Sequence, residues 1–336
     1  MPVLVTGAAG LVGSHVVDAL LRRKAVVRAL LLPREPAARL LEAGVEVVRG
    51  DLGDPASLRG AVAGVDRVLH CAARTGPWGP RPEYERANVA GLRALLEAAR
   101  AAGVRRLVHV SSAIVHGTDA PAPRDESAPL RPEPNPYSWS KIEGERLLEA
   151  AAREGGLEVV VVRPGLVFGP RDAGSFGRFA RMLERGEMVQ IGDGRNHLPL
   201  VYVGDVAEAV VLASEAPGAA GRAYLVVNDE PVTQREYLAA LAAELGVPPP
   251  RRRIPYRVAL TLAQLAEALV RVSGRAGPPP LTRFGVRMLG GENRFVIRRA
   301  REELGFEPRV GLAEGVRRGV AWYRAEARAR AEEART

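Results

Sequence analysis

The sequence predicts an α/β fold, a doubly wound parallel sheet followed by a smaller, mostly helical C-terminal lobe. Three observations predict it. Short Val/Leu-rich runs alternate with longer helical patterns over the first 165 residues. Each run is apolar throughout, as strands buried on both faces are. Beyond Arg163 the alternation gives way to helical segments. In chain order, strands are expected at 2–6, 25–31, 45–49, 65–70, 105–111 and 157–163, with helices at 11–23, 82–102 and 136–154. Then come a helix at 175–185, a turn at 192–195, a strand end running into a helix over 201–214, and one more core strand at 222–227. From Thr233 the pattern is helical, interrupted by the prolines at 248–250 and 278–280. The division expected is a sheet domain over 1–165, rejoined by 199–227, a lobe from 166–198 and 228–325, and a charged, frayed helix end over 326–336.

Composition narrows the function classes. At 47% hydrophobic and 26% charged residues, the chain is ordinary for a soluble globular protein. It has no apolar run long enough to span a bilayer. Its first residues enter a strand pattern directly, without the charged start of a signal peptide, so a cytoplasmic location is expected. Cys71 is the single cysteine, which excludes an internal disulfide and a cysteine-based metal site, and no metal is expected. The net charge of +9 is almost all arginine and is spread along the chain. Its densest run, Arg251-Arg252-Arg253, has no interleaved aromatic residues, so no nucleic-acid partner is expected. Lysine is scarce: Lys24 and Lys141 only.

Directly after the first strand, Gly7, Gly10 and Gly13 recur at every third position. Gly7 permits a tight turn, Gly10 a close approach of a pyrophosphate, and Gly13 close packing of helix on strand. The spacing departs from G-x-G-x-x-G, but the strand–turn–helix context is that of a dinucleotide site. Phosphates then meet free N–H groups at the helix N-terminus, with Gly7, Ala9, Gly10, Leu11 and Val12 as the contacts. Asp51, followed by Leu52, closes the third strand and is placed to accept from an adenine amine. Residues 30–34, at the end of the second strand, hold no acid for a ribose 2′-hydroxyl, whereas Arg34 suits a 2′-phosphate, which favours NADP(H) over NAD(H).

Asn135 and Pro136 read as the cap and first residue of a helix, so Tyr137 and Lys141 lie one turn apart on one face. A free tyrosine titrates near about 10, and a neighbouring ammonium is expected to lower that value. The lysine also has donors for ribose hydroxyls. At the end of the preceding strand, Ser112, with Ser111 as the alternative, is placed to hydrogen-bond the reacting oxygen.

The glycine turn, the Ser112 strand end and the Tyr137/Lys141 pair resemble the extended short-chain dehydrogenase/reductases of the NAD-dependent epimerase/dehydratase superfamily, over nearly the whole chain. The resemblance implies a Rossmann-type sheet, NAD(P) as cofactor and a homodimer. It also implies that Cys71, Ala72 and Ala73 line the cofactor cleft, with Cys71 a small buried residue, and that Pro164 and Val167 pass the nicotinamide. Sugar-nucleotide members usually carry a phosphate-binding arginine in G-D-G-x-Q-x-R-D-F-x-Y-V; over 192–203 that place holds Leu198. Stretches 75–79, 227–231, 253–256, 280–284 and 299–308 are instead similar to the branch of 3β-hydroxysteroid dehydrogenases, sterol-4α-carboxylate 3-dehydrogenases and 2-alkyl-3-oxoalkanoate reductases.

A small apolar substrate is therefore expected, held near Trp78, Ala113, Phe168, Leu198 and Phe284. The amphipathic stretch 254–272, flanked by arginines, is a candidate for peripheral membrane contact. The function expected is an NAD(P)-dependent oxidoreductase interconverting a secondary alcohol and a ketone. The alternatives are a nucleotide-sugar 4-epimerase, dehydratase or reductase, and a non-catalytic NAD(P)-binding protein.

Overall fold

The structure, a computed structural model, describes residues 1–273 and 277–333. Six strands open the chain in order: β1 (Val3–Thr6), β2 (Val27–Leu31), β3 (Glu46–Arg49), β4 (Arg67–His70), β5 (Arg106–Val110) and β6 (Glu158–Pro164). Short strands β7 (Leu166–Phe168), β8 (Val189–Ile191), β9 (His197–Leu198) and β10 (Leu200–Tyr202) follow. Next come β11 (Ala223–Val226), β12 (Val232–Thr233) and β13 (Arg252–Ile254). Seven of them form one all-parallel sheet in the order β11-β6-β5-β4-β1-β2-β3. The chain thus winds outward in both directions from β1 and β4, and a crevice opens beyond the C-terminal ends of these two strands.

Helices α1 (Leu11–Arg22), α2 (Ala38–Glu42), α3 (Pro55–Val62), α4 (Arg81–Tyr84), α5 (Gly91–Ala101) and α6 (Pro136–Glu154) belong to the first half. The second half contributes α7 (Ser175–Glu184), α8 (Val203–Glu215), α9 (Gln234–Leu245), α10 (Tyr256–Ser273), α11 (Arg283–Gly290), α12 (Arg298–Leu304) and α13 (Leu312–Glu333). The two faces of the sheet bury separate cores. Val16, Leu20 and Val210, from α1 and α8, pack on one face, and Leu58, Leu95 and Leu148, from α3, α5 and α6, on the other. A third core joins Phe168, Phe176, Tyr237 and Val320 within the lobe.

Two expected elements are corrected. The single helix expected over 82–102 is broken by a π-helical turn, Glu85–Ala90, between α4 and α5. Wider than an α-turn, it carries the buried Asn88, whose amide clamps the Arg74 backbone on both sides and donates to Ser140 Oγ at 2.8 Å. The tail expected to fray from 326 continues as α13 to Glu333, with Arg330 reaching Glu326 one turn back; 334–336 lie outside the described residues.

Candidate active site

The glycine turn forms because its backbone approaches other backbone too closely for side chains. Gly7 has φ +65°, and a Cβ there would lie 2.7 Å from the Ala72 nitrogen; a Cβ on Gly13 would lie 2.1 Å from the Gly7 oxygen. Thr6 Oγ1 ties the strand ends together, 2.7 Å from His70 Nδ1 and accepting from the Ala72 N–H at 3.2 Å. No side chain caps the start of α1, so its first N–H groups are left open to an anion. Beside them is a hollow of about 390 Å³ lined by Gly7, Gly10, Asp51, Leu52 and Cys71–Ala73. An uncapped helix start, a cradle that any side chain would fill, and a hollow lined in part by Asp51 fit a dinucleotide.

Of the expected cofactor residues, Ala9 lies in the turn and Leu11 and Val12 in the first turn of α1, where they offer backbone rather than hollow wall. Asp51 lines the hollow, and one of its carboxylate oxygens caps Gly53 N–H at 2.8 Å. Cys71 is half-buried, its thiol pushed up to about 12 by desolvation, which suits a wall residue and not a nucleophile. Pro164 is buried at the end of β6, and Val167 packs between the sheet core and the lobe core.

Arg34 requires a correction. It is exposed and stands outside the hollow; Glu35, passed over by the sequence reading, lines it instead. Pro33 ends the strand, and the chain turns so that the Glu35 carboxylate accepts from the Leu32 N–H at 2.9 Å while Glu35 N–H donates to the Leu32 carbonyl. The signal is an acid directly after Arg34 in the sequence.

Asn135 caps α6 by accepting from Ser138 N–H at 2.8 Å, with Pro136 in the first turn, so Tyr137 and Lys141 begin the helix facing the crevice. The Lys141 ammonium is buried, donates to the Val110 carbonyl at 2.8 Å and lies 5.9 Å from the centre of the Tyr137 ring. Desolvation lowers Lys141 to about 8, partly opposed by Glu145 one turn further along. The expected lowering of Tyr137 is not found. Desolvation of its hydroxyl pushes it up to about 12, against a hydrogen bond from Ser112 that favours the phenolate. The physical reason is that the enclosed phenolate would lose more hydration than the lysine, turned to a carbonyl, returns.

Glu145 sets the two serines apart. Ser111 is buried and donates to Glu145 Oε1 at 2.5 Å, whereas Ser112 is partly exposed and reaches the phenol. Glu145 is itself held by the buried Arg163 at 2.6 Å, and Arg163 stands 3.1 Å from His116 Nε2. This charge network behind the site was not foreseen, because its members come from α6, β6 and the turn after β5.

A second hollow of about 660 Å³ adjoins the first; Arg74 lines both. Its wall includes Trp78, Phe284, and Asn135 and Pro136, the two residues before Tyr137. The remaining expected substrate residues are corrected. Ala113 and Phe168 are fully enclosed, Phe168 meeting Tyr202 and Tyr237 edge-on at 6.2 and 6.0 Å in the lobe core. Leu198 is buried against the same core and edges a separate groove with His197 and Arg294.

Comparison with known proteins agrees with this geometry. Residues 3–226 match the NAD dependent epimerase/dehydratase family. The chain is 36% identical over 327 residues to a 2-alkyl-3-oxoalkanoate reductase of Stenotrophomonas maltophilia, covering 95% of this chain and 98% of that protein. It is 35% identical to sterol demethylase protein B of Methylococcus capsulatus, covering 96% and 98%. A solved structure, MoeE5 in complex with UDP-glucose and NAD, superposes with a TM-score of 0.78 at 29% identity, covering 97% of this chain and 100% of that one.

Proposed function

We infer that this chain, which belongs to the NAD-dependent epimerase/dehydratase family and is an NAD(P)-dependent short-chain dehydrogenase/reductase, reduces the ketone of an apolar 3-oxo acyl substrate to a secondary alcohol, reversibly. The observation that carries this reading is Tyr137, its phenol near enough to Ser112 to be biased by it, directly after Asn135 and Pro136 in the wall of the hollow that Trp78 and Phe284 also line. Identity to a 2-alkyl-3-oxoalkanoate reductase supports the acyl class, and identity to a sterol demethylase protein supports apolarity.

A bound nicotinamide dinucleotide supplies or accepts the hydride. Tyr137 donates its phenolic proton to the carbonyl oxygen during reduction; held neutral by burial, it is ready as an acid. Ser112 orients that oxygen. Lys141 places a positive charge behind the phenol and stabilises the phenolate left after transfer. Glu35 supports NAD(H) as the preferred cofactor, since its carboxylate suits a ribose diol and repels a 2′-phosphate.

Tyr137→Phe tests the assignment. Turnover of a 2-alkyl-3-oxo acid should fall by at least about a hundredfold, while NADH affinity by fluorescence titration is retained. Full turnover would remove Tyr137 from the reaction. A nucleotide-sugar substrate is the second reading, favoured by the likeness to a UDP-glucose complex. Strong thermal stabilisation by UDP, with none by the oxo acid, would select it.

A further inference from the structure

We propose that α10 is a membrane-surface anchor, seating the protein on an anionic lipid surface beside the mouth of the substrate hollow. Its inner face is settled: Ala259 and Ala263 are fully buried, and the buried Glu267 accepts from Arg283 Nε at 2.9 Å and from the Arg283 N–H at 2.8 Å. The outer face has no covering. Val258, Leu262, Leu265, Leu269 and Val272 recur at alternating steps of four and three, a straight ridge whose members are 47–87% exposed. Among the described residues, these are five of the eleven exposed large hydrophobics, all on one helix. Concentration of this kind marks a contact surface, unlike single exposed leucines.

Charge selects the occupant. The only acid on α10 is Glu267, which is turned inward and paired. Outside the ridge, Arg251, Arg252, Arg253 and Arg257 are exposed. An apolar ridge on a segment whose exposed charged residues, over 251–273, are all arginines complements a leaflet of anionic headgroups. The same spacing would suit a two-helix seam with a second copy, but, with arginines exposed at both ends of the segment and no exposed acid on it, that seam would bring like charges together. No described helix is long and apolar enough to cross a membrane, so the contact lies along the surface.

Position gives the contact a purpose. The last turns of α10 are also wall of the larger hollow, through Glu267 and Arg271, and the Arg271 guanidinium stacks on Trp78 at 5.1 Å. A chain drawn from the lipid would enter beside Trp78; this point alone rests on the apolar-substrate reading above.

The test is co-sedimentation of the NADH-bound protein with vesicles of phosphatidylcholine and phosphatidylglycerol, and with phosphatidylcholine alone. The wild type should pellet with the anionic vesicles and be released by salt. Leu265→Ser/Leu269→Ser should weaken that binding by about tenfold or more, with thermal midpoint and NADH affinity unchanged. Arg252→Gln/Arg253→Gln should lose the preference for anionic vesicles. Wild type left in the supernatant, or a leucine double variant that pellets as well as wild type, overturns the proposal. So does light scattering that shows the double variant turning a dimer into a monomer while vesicles are ignored. Inactivity on oxo acids with vesicle binding intact would instead count against the substrate reading.

Discussion

Two parts of the crevice are built in opposite ways. The phosphate turn is local: strand, glycine turn and helix fall within residues 3–22, and Tyr137 and Lys141 within one turn of α6, while the rest of the cofactor hollow draws on residues 30–35, 50–53 and 71–74. The substrate wall is assembled from separate stretches near residues 74–83, 133–136, 267–271 and 277–284. Side-chain pairs hold it together, including Arg74 with Glu83 at 2.5 Å, Arg283 with Glu267 at 2.9 Å and Arg287 with Glu133 at 3.1 Å. Backbone packed against backbone has no slack, whereas a wall of side chains yields when one is exchanged. The first should therefore break at a single methyl group and the second only be retuned.

The sharpest way to break that contrast is Gly13→Ala, whose new methyl would lie 2.1 Å from the Gly7 oxygen. NADH affinity should fall by about a hundredfold or more, with a thermal midpoint lower by several degrees, about the effect of overpacking. Unchanged affinity would show that the turn has more give than its geometry allows.

Next in size is the pH response. Lys141, lowered to about 8, carries its charge below that pH and loses it above, while Tyr137, at about 12, stays protonated throughout. The reductive kcat/KM should thus be level up to about pH 8 and then decline by about tenfold per unit. A decline on the acid side alone would remove Lys141 from the role given to it.

A smaller effect is expected from Glu35→Gln. Removing the carboxylate that lines the cofactor hollow should shift the NADH-to-NADPH preference by roughly tenfold, about 1.4 kcal/mol, read from paired kcat/KM values. The smallest belongs to the assembled wall. Phe284→Ala should raise KM for a long-chain oxo acid by about threefold to tenfold and leave kcat nearly unchanged. A collapse of kcat there would mean that the two parts are coupled more tightly than their construction suggests.

Legibility followed the same division. The Tyr137/Lys141 pair was readable because a cap, a proline and a one-turn spacing are properties of neighbouring residues. Ser112 was readable as a strand end, but its distinction from Ser111 needed Glu145, which approaches from another element. Glu35 escaped because the strand was expected to carry its polar contact within its last residues, whereas Pro33 ends the extended run and the following turn folds the next acid back. Phe168 and Ala113 were placed at the substrate because short apolar segments have no periodicity to tell the crevice from the core. The partners of Phe168, Tyr202 and Tyr237, come from distant segments.

By itself the sequence determined the parallel sheet, the glycine turn and the placing of Tyr137 and Lys141 one turn apart at the start of a helix. Each follows from backbone sterics or spacing within a few neighbouring residues. The tertiary structure alone decided which carboxylate meets the cofactor hollow, that burial and not the lysine governs the tyrosine proton, and which face of α10 is left uncovered. Desolvation and exposure depend on everything that packs around a group, and no local pattern carries that information.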